Sequence, residues 1–331
     1  MRNEYPRPDF KRDSFVSLNG TWEFCFDDYN VGHKEKWFVK HDFDKKIEVP
    51  FSFETKLSGI HDTTYHDHVW YHKKLKDIKL SDNHLFILHF EGVDYYSEVY
   101  INGYLIKDHY GSNAGFQVDI TNYLVEGEND LVVYCFDPSK DRSIPRGKQD
   151  WELEGHAIWY TRTTGIYKSV WLEQVDKKYI KNFFVRTKLD RYCISYDVEV
   201  SEPNGTLEII VYDGNDSVKN SFKVTKKKNT YEFCLPNDFV NDRIWTLQRP
   251  FLFDINLILK DDTQITFKLC EIVVKTNIKN INCYNLQPFM IEYLDKYKII
   301  VESRNETLYL SNFMLKNNLS IFSSMFYKMT L

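Results

Sequence analysis

The stretch Gly59–His72, GIHDTTYHDHVWYH, gathers a dense set of groups able to hold a metal or move a proton. His61, His66, His68 and His72 stand there with Asp62 and Asp67, and imidazole with carboxylate is a ligand set that suits zinc. A zinc site needs its ligands on one face at fixed spacing, whereas this stretch reads as a loop running into a strand. It is therefore read as surface, and no metal is expected. Two acidic pairs, Asp27-Asp28 and Asp261-Asp262, lie between strand-like runs, where Asp favours turns through local side-chain bonds and tolerance of left-handed backbone; both are read as turns. The six cysteines, Cys25, Cys135, Cys193, Cys234, Cys270 and Cys283, are scattered without a CxxC spacing, most of them inside apolar runs such as LVVYCF. They are read as buried free thiols rather than disulfides or zinc ligands. No cofactor is expected.

The elements that must position any such chemistry are those of a folded chain. With 331 residues, 43% hydrophobic and 27% charged, the sequence exceeds what one core usually covers, and two domains are the starting expectation. A net charge of −5 supplies no positive field, so a nucleic-acid partner is not expected. The short basic run Lys226–Lys228 sits between strand-like segments and reads as a solvated turn. The N-terminal MRNEYPRPDFKRDSF has no apolar h-region, and nothing approaches the ~18 apolar residues of a spanning helix, so no membrane is expected and the location is read as cytoplasmic. Aromatic residues make up 16%, with 23 Tyr and 24 Phe. Such rings fill the ~10 Å gap between packed sheets and also stack on sugars; most are assigned here to core or strand surface.

Short apolar alternations punctuated by turn signals run from Trp22 to Val274 without sustained helical periodicity, which argues an all-β fold. The clearest hairpin is Val99–Ile101, Asn102-Gly103, Tyr104–Ile106, since Asn-Gly supplies the two positive φ angles of a type I′ turn. A second is read from Tyr196–Val200 and Thr206–Tyr212, reversed at Pro203, Asn204 and Gly205. Leu131–Phe136 and Val170–Leu172 read as buried strands. A boundary is placed near Val175–Lys178; from there to about Asn277 lie five or more strand-like runs with the size and rhythm of an immunoglobulin-like sandwich.

Several segments in sequence order resemble glycoside hydrolase family 2, the family of β-galactosidases, β-glucuronidases and β-mannosidases. SLNGTWEF (Ser17–Phe24) is similar to its opening strand, EVPFSFETKLSGI (Glu48–Ile60) to its VP-containing loop, and VWYHKKL (Val69–Leu75) to the aromatic strand that follows. FEGVDYYSEVYINGYLI resembles its central hairpin, and RGKQDWELEGHAIWYTRTTGIYKSVWLE (Arg146–Glu173) the loop and strand that close its sugar-binding domain. WTLQRPFLFDINLIL (Trp245–Leu259) looks like the strand pair ending its immunoglobulin-like domain, while FKLCEIVVK (Phe267–Lys275) departs from the glycine-aromatic-arginine element usual there. The resemblance implies a jelly-roll, galactose-binding-like sandwich over residues 1–178, an immunoglobulin-like sandwich over 179–277, and a short C-terminal extension over 278–331.

Members of that family hydrolyse terminal β-glycosidic bonds with retention, which takes two carboxylates about 5–5.5 Å apart. The family holds both on a (β/α)₈ barrel of ~200 residues at minimum, more than residues 278–331 can supply. No catalytic residue is therefore expected in this chain. Asn305-Glu306 reproduces the pair that accompanies the family's acid/base, yet SRNET reads as a polar turn. By resemblance, the loop Arg146–Arg162 reaches toward the terminal sugar. Arg146, Gln149, Asp150 and Arg162 are its polar candidates, and Trp151 or Trp159 could stack on a sugar face. Trp159 reads equally well as inter-sheet core, and Tyr160 better so. Gly155, His156 and Ala157 occupy the neighbourhood where many members carry a carboxylate or amide. The implied ligand is a terminal β-linked carbohydrate held weakly, near millimolar, about −4 kcal/mol. Further partners implied are a separately encoded barrel chain or a second copy of this one. Leu315, Leu319, Phe322, Phe326 and Met329 form an amphipathic seam, which either docks, self-associates or results from a shifted reading frame. A free-standing carbohydrate-binding or interaction protein and an inert remnant are the competing readings.

Overall fold

The computed structural model describes residues 5–276, except residues 8, 9, 13, 215, 241, 242 and 261–270, and describes residues 271–276 as backbone only. The expectations placed on Asp261-Asp262, Cys270, Cys283, Asn305-Glu306, the seam from Leu315 to Met329 and the whole segment 278–331 lie outside the described residues. The described residues divide into two compact units: residues 5–6 with 14–175, and residues 7–12 with 176–276.

The first unit is a sandwich of two antiparallel sheets. Its strands are β1 (Phe15–Ser17), β2 (Gly20–Phe26), β3 (Lys45–Val49), β4 (His68–Ile78), β5 (His84–Phe90), β6 (Val93–Asp94), β7 (Tyr96–Ile101), β8 (Tyr104–Tyr110), β9 (Phe116–Asp119), β10 (Gly127–Phe136), β11 (Gly165–Ile166) and β12 (Val170–Asp176). One sheet runs β1-β12-β5-β9, the other β3-β2-β4-β10-β7-β8, and β6 pairs with β11. Strand alternation delivers Trp22, Phe24, Val69, Tyr71, Val99, Leu131, Val133, Leu88, Phe90 and Leu172 to one shared core. A second buried cluster, Cys25, Trp37, Trp70, Tyr100, Val132 and Tyr134, covers the outer face of the larger sheet. Strands β4 and β10 are therefore buried on both faces, which is why VWY and LVVYCF read as continuous apolar runs.

Asp27 organises that outer layer. Its carboxylate accepts hydrogen bonds from Val31 N–H at 2.8 Å, Gly32 N–H at 2.9 Å and the Trp70 indole at 3.1 Å. It closes a turn with Asn30 N–H at 2.8 Å, so the turn expected at Asp27-Asp28 is present and buried on one side. The predicted hairpin is present too: Asn102 and Gly103 have φ of 50° and 83° between β7 and β8.

The second unit is a smaller sandwich. Strands β13 (Ile180–Lys188), β14 (Cys193–Val200) and β17 (Lys228–Cys234) form one sheet. Strands β15 (Gly205–Tyr212), β16 (Ser217–Val224), β18 (Phe253–Lys260) and β19 (Glu271–Thr276) form the other, in the order β16-β15-β18-β19. The N-terminal segment belongs here through Arg7 Nη2 to Asn182 Oδ1 at 3.2 Å, Arg12 to the Ile180 carbonyl, and Phe10 against Phe183 at 5.4 Å.

Two sequence readings are corrected in this unit. The reversal at Asn204 exists, with φ of 68°, but β14 and β15 belong to different sheets, so the apolar runs flanking it connect the sandwich layers instead of pairing as a hairpin. Both runs alternate with the same period, and alternation alone does not specify a partner. Cys193 and Cys234 form a disulfide, because the β14–β17 register sets them directly opposite each other 41 residues apart in sequence. Cys25 and Cys135 are buried free thiols, as read, and burial pushes both thiols up.

Candidate functional site

The chain leaves β10 at Phe136 and returns at β11, and the long connection between them carries the predicted binding residues. Its return is fixed by Gly165. This residue has φ of 77°, and a Cβ there would collide with the Tyr71 hydroxyl, which accepts from Ile166 N–H at 3.3 Å. Only glycine meets both the backbone and the packing demand.

Within the loop the polar candidates hold the structure of the loop itself. Gln149 donates to Asp94 Oδ2 at 2.6 Å and accepts from Thr163 N–H at 2.7 Å. A parallel bridge joins Gln149 and Tyr160, with Asp150 N–H on the Tyr160 carbonyl and Tyr160 N–H on the Lys148 carbonyl, both at 2.8 Å. Asp150 is buried and accepts from Glu152 N–H at 3.1 Å and His156 N–H at 2.9 Å, with His156 Nδ1 at 2.7 Å. Burial acts to raise its carboxyl, but these bonds and the adjacent imidazole hold it below the usual carboxylate range. Arg162 is buried and donates to the carbonyls of Glu152 and Thr63, both at 2.7 Å, while stacking over Tyr65 at 4.5 Å. Arg146 donates to the carbonyls of Asp141, at 2.7 Å, and Pro138.

The two predicted tryptophans come together. Trp151 and Trp159 are both half-buried, with ring centroids 5.3 Å apart at 58°. Arg142 lies over the Trp151 ring at 4.2 Å, and the Tyr65 hydroxyl donates to the Trp151 carbonyl at 3.0 Å. Tyr160, read as core, is instead 60% exposed, because the bridge to Gln149 turns its side chain away from the sandwich. Trp159 lies in the loop and not between the sheets. The surface left for a ligand thus comprises the tryptophan pair with the exposed His156, Glu152, Glu154 and Tyr160.

Sequence reasoning missed the acids beneath this loop. Asp137 shares the Thr164 hydroxyl at 2.9 Å; burial raises its carboxyl, Asp67 adds to that, and Thr164, Arg146 and Arg162 act against it. Glu54, buried in the loop after β3, is pushed up to about 7 by burial, against the weaker pull of the hydroxyls of Thr164 and Ser52. Neither residue carries a signal in the sequence, since each is marked only by the depth at which the fold places it.

The histidine-rich stretch does not assemble. His66 stacks on Phe26 at 3.6 Å and meets Asp28 Oδ1 at 2.7 Å; His68 Nδ1 meets the Tyr134 hydroxyl at 2.7 Å. His72 is held by Glu23 and by Asp130 at 2.7 Å. His66, His68 and His72 thus have separate partners, and within the stretch His66 Nε2 also lies 3.4 Å from Asp62 Oδ2.

The family described as "Glycosyl hydrolases family 2, sugar binding domain" matches residues 15–176, a span that includes the whole loop. The chain is 28% identical to a putative beta-glucuronidase of Formosa agariphila over 57% of its own length and 23% of that protein's. It is 26% identical to a beta-galactosidase of Thermoanaerobacter pseudethanolicus over 80% of its length and 34% of that protein's. It thus spans about a quarter to a third of these curated relatives. Among solved structures, the beta-glucuronidase of Ruminococcus gnavus superposes with a TM-score of 0.63 at 20% identity, covering 84% of this chain and 45% of that one, a likeness of fold.

Proposed function

Because residues 15–176 are a sugar-binding domain of glycosyl hydrolase family 2, we propose that this chain is the carbohydrate-engaging, non-catalytic portion of a family 2 glycosidase. The terminal β-linked sugar meets the loop between β10 and β11. The observation that supports this reading most is the paired Trp151 and Trp159, half-exposed on a loop that is itself rigidly bonded. Sugar C–H faces stack on such rings, and a pre-ordered platform avoids the entropy of arranging one.

On this reading Arg146, Gln149, Asp150 and Arg162 are positioning residues. Their hydrogen bonds run within the loop and to Asp94 and Thr63 beside it, and Arg146 Nη1, which makes none, is buried, so they fix the tryptophans and do not reach sugar hydroxyls. His156, Glu152 and Glu154 are the groups placed to meet hydroxyls. An open, one-sided platform buries little of a monosaccharide, and an affinity near millimolar, about −4 kcal/mol, follows. Calorimetric titration with methyl β-galactoside, β-glucuronide and β-mannoside tests this. One of the three is expected to bind near millimolar, and Trp159→Ala is expected to weaken it at least fivefold. A sub-micromolar Kd, or an affinity unchanged in both Trp151→Ala and Trp159→Ala, overturns the reading.

A further inference from the structure

The outer face of the three-stranded sheet in the second unit carries a cluster that the sugar reading leaves unused. Side chains alternate along β17: Phe233 is buried toward the sandwich, so Glu232 and Cys234 share the solvent face. Register places Cys193 opposite Cys234 and Ser195 opposite Glu232, which brings Cys193 onto the same side of the sheet, where it is itself buried beside the exposed Glu232 and Cys234. The ligating atoms of Cys193, Glu232 and Cys234 all lie within 4.8 Å of one another, the one such group of three His, Cys, Asp or Glu among the described residues. Two cations stand beside it: Lys188 pairs with Glu232, and Arg191 Nη1 is 3.8 Å from Glu232 Oε1.

We propose that Cys193, Cys234 and Glu232 form a site for one thiophilic divalent cation of the zinc class, opened by reduction of the disulfide and closed by its re-formation. In the oxidised chain the two sulfurs are spent on each other. A low-molecular-weight thiol opens the site. Its thiolate attacks one sulfur to give a mixed disulfide and one free cysteine thiolate; a second thiol then displaces the other cysteine and leaves as the small-molecule disulfide. Two electrons pass to the protein pair, which takes up two protons. Binding of the cation then releases those two protons, because thiolate is the ligating form.

The geometry survives reduction. The ladder from Cys193–Cys234 to Glu199–Lys228 holds the two strands in register whether or not the sulfurs are bonded. Two thiolates and a carboxylate are suitable zinc ligands, and three protein ligands leave a fourth position for water. The negative charge remaining after a divalent cation is bound by three anions sits against Lys188 and Arg191, which accounts for basic residues at the edge of a cation site. Among the described residues β17 pairs with β14 alone, which leaves room for the small shift that converts a bonded sulfur pair into a chelating one.

The full chain, reduced with a phosphine and freed of metal, is titrated with Zn²⁺ against a chromophoric chelator and separately with Co²⁺. The expected result is one Zn²⁺ per chain and a cobalt–thiolate absorption band, both absent from the oxidised chain. Cys193→Ser and Cys234→Ser are each expected to remove both signals with the far-ultraviolet dichroism unchanged, and Glu232→Gln to weaken Zn²⁺ about tenfold or more. Cys270→Ser and Cys283→Ser are expected to leave binding intact. No stoichiometric Zn²⁺ in the reduced chain, equal binding by the oxidised chain, or binding that persists in Cys193→Ser overturns the proposal.

Discussion

Individual side chains in the loop do different work from what their chemistry alone suggests. Asp150, a natural hydroxyl acceptor, is satisfied by the loop backbone and His156. Its carboxyl is held below its ordinary range, so it stabilises the fold above the unfolded carboxylate pKa of about 4, and that contribution is lost as pH falls through the lower folded value. Asp150→Asn is expected to lower Tm at pH 7, with the gap to the parent closing below about pH 4. Glu54 behaves oppositely. A carboxyl raised to about 7 in the fold binds its proton more tightly than in the unfolded chain, so stability falls as pH rises from the ordinary carboxylate range through about 7. Glu54→Gln is expected to stabilise the protein at pH 8 by up to about 3 kcal/mol and to flatten that slope, measured by urea unfolding at pH 5 and pH 8. The sequence singled out this loop, and the structure brings its two tryptophans together. The sequence did not show which polar groups face inward, because burial at the end of a sandwich comes from strands remote in sequence, such as β6 beneath Gln149.

Among the elements, those with local causes were legible. Asn102-Gly103 dictates its own turn, and the alternation in Gly20–Phe26 identifies a strand with one face inward. The connection at Asn204 was misassigned for lack of such a cause: its turn chemistry was right, but sheet membership is set by long-range pairing of β14 with β13 and β17. The disulfide was missed for the same reason. Gly165 shows what a single element boundary can control. Gly165→Ala must accept positive φ, at roughly 1–2 kcal/mol, and displace the Tyr71 hydroxyl, at a further ~1–3 kcal/mol. A loss of about 2–5 kcal/mol in chemical denaturation is expected, together with weaker sugar binding, since the same residue anchors the loop's return.

At the scale of the molecule, an all-β chain with an aromatic-rich core was evident from composition and rhythm, and the order of motifs identified the family that matches residues 15–176. The grouping of residues 7–12 with the second unit was not, because a short segment of mixed polarity declares no partner until Phe10 meets Phe183 and Arg12 meets the Ile180 carbonyl. Large inward aromatics such as Trp22, Tyr71 and Phe24 spend much of the ring content on packing, while the loop carries the Trp151–Trp159 pair and the exposed Tyr160 at its surface. The central claim is that this pair receives a sugar. It is tested most directly by following the indole N–H signals of Trp151 and Trp159 by NMR during titration with methyl β-glycosides. Concentration-dependent shifts of those two signals, saturating in the millimolar range, with Trp22 and Trp70 unmoved, are the predicted result. Saturating binding that leaves both loop indoles unshifted, or no response to any of the glycosides, contradicts the account.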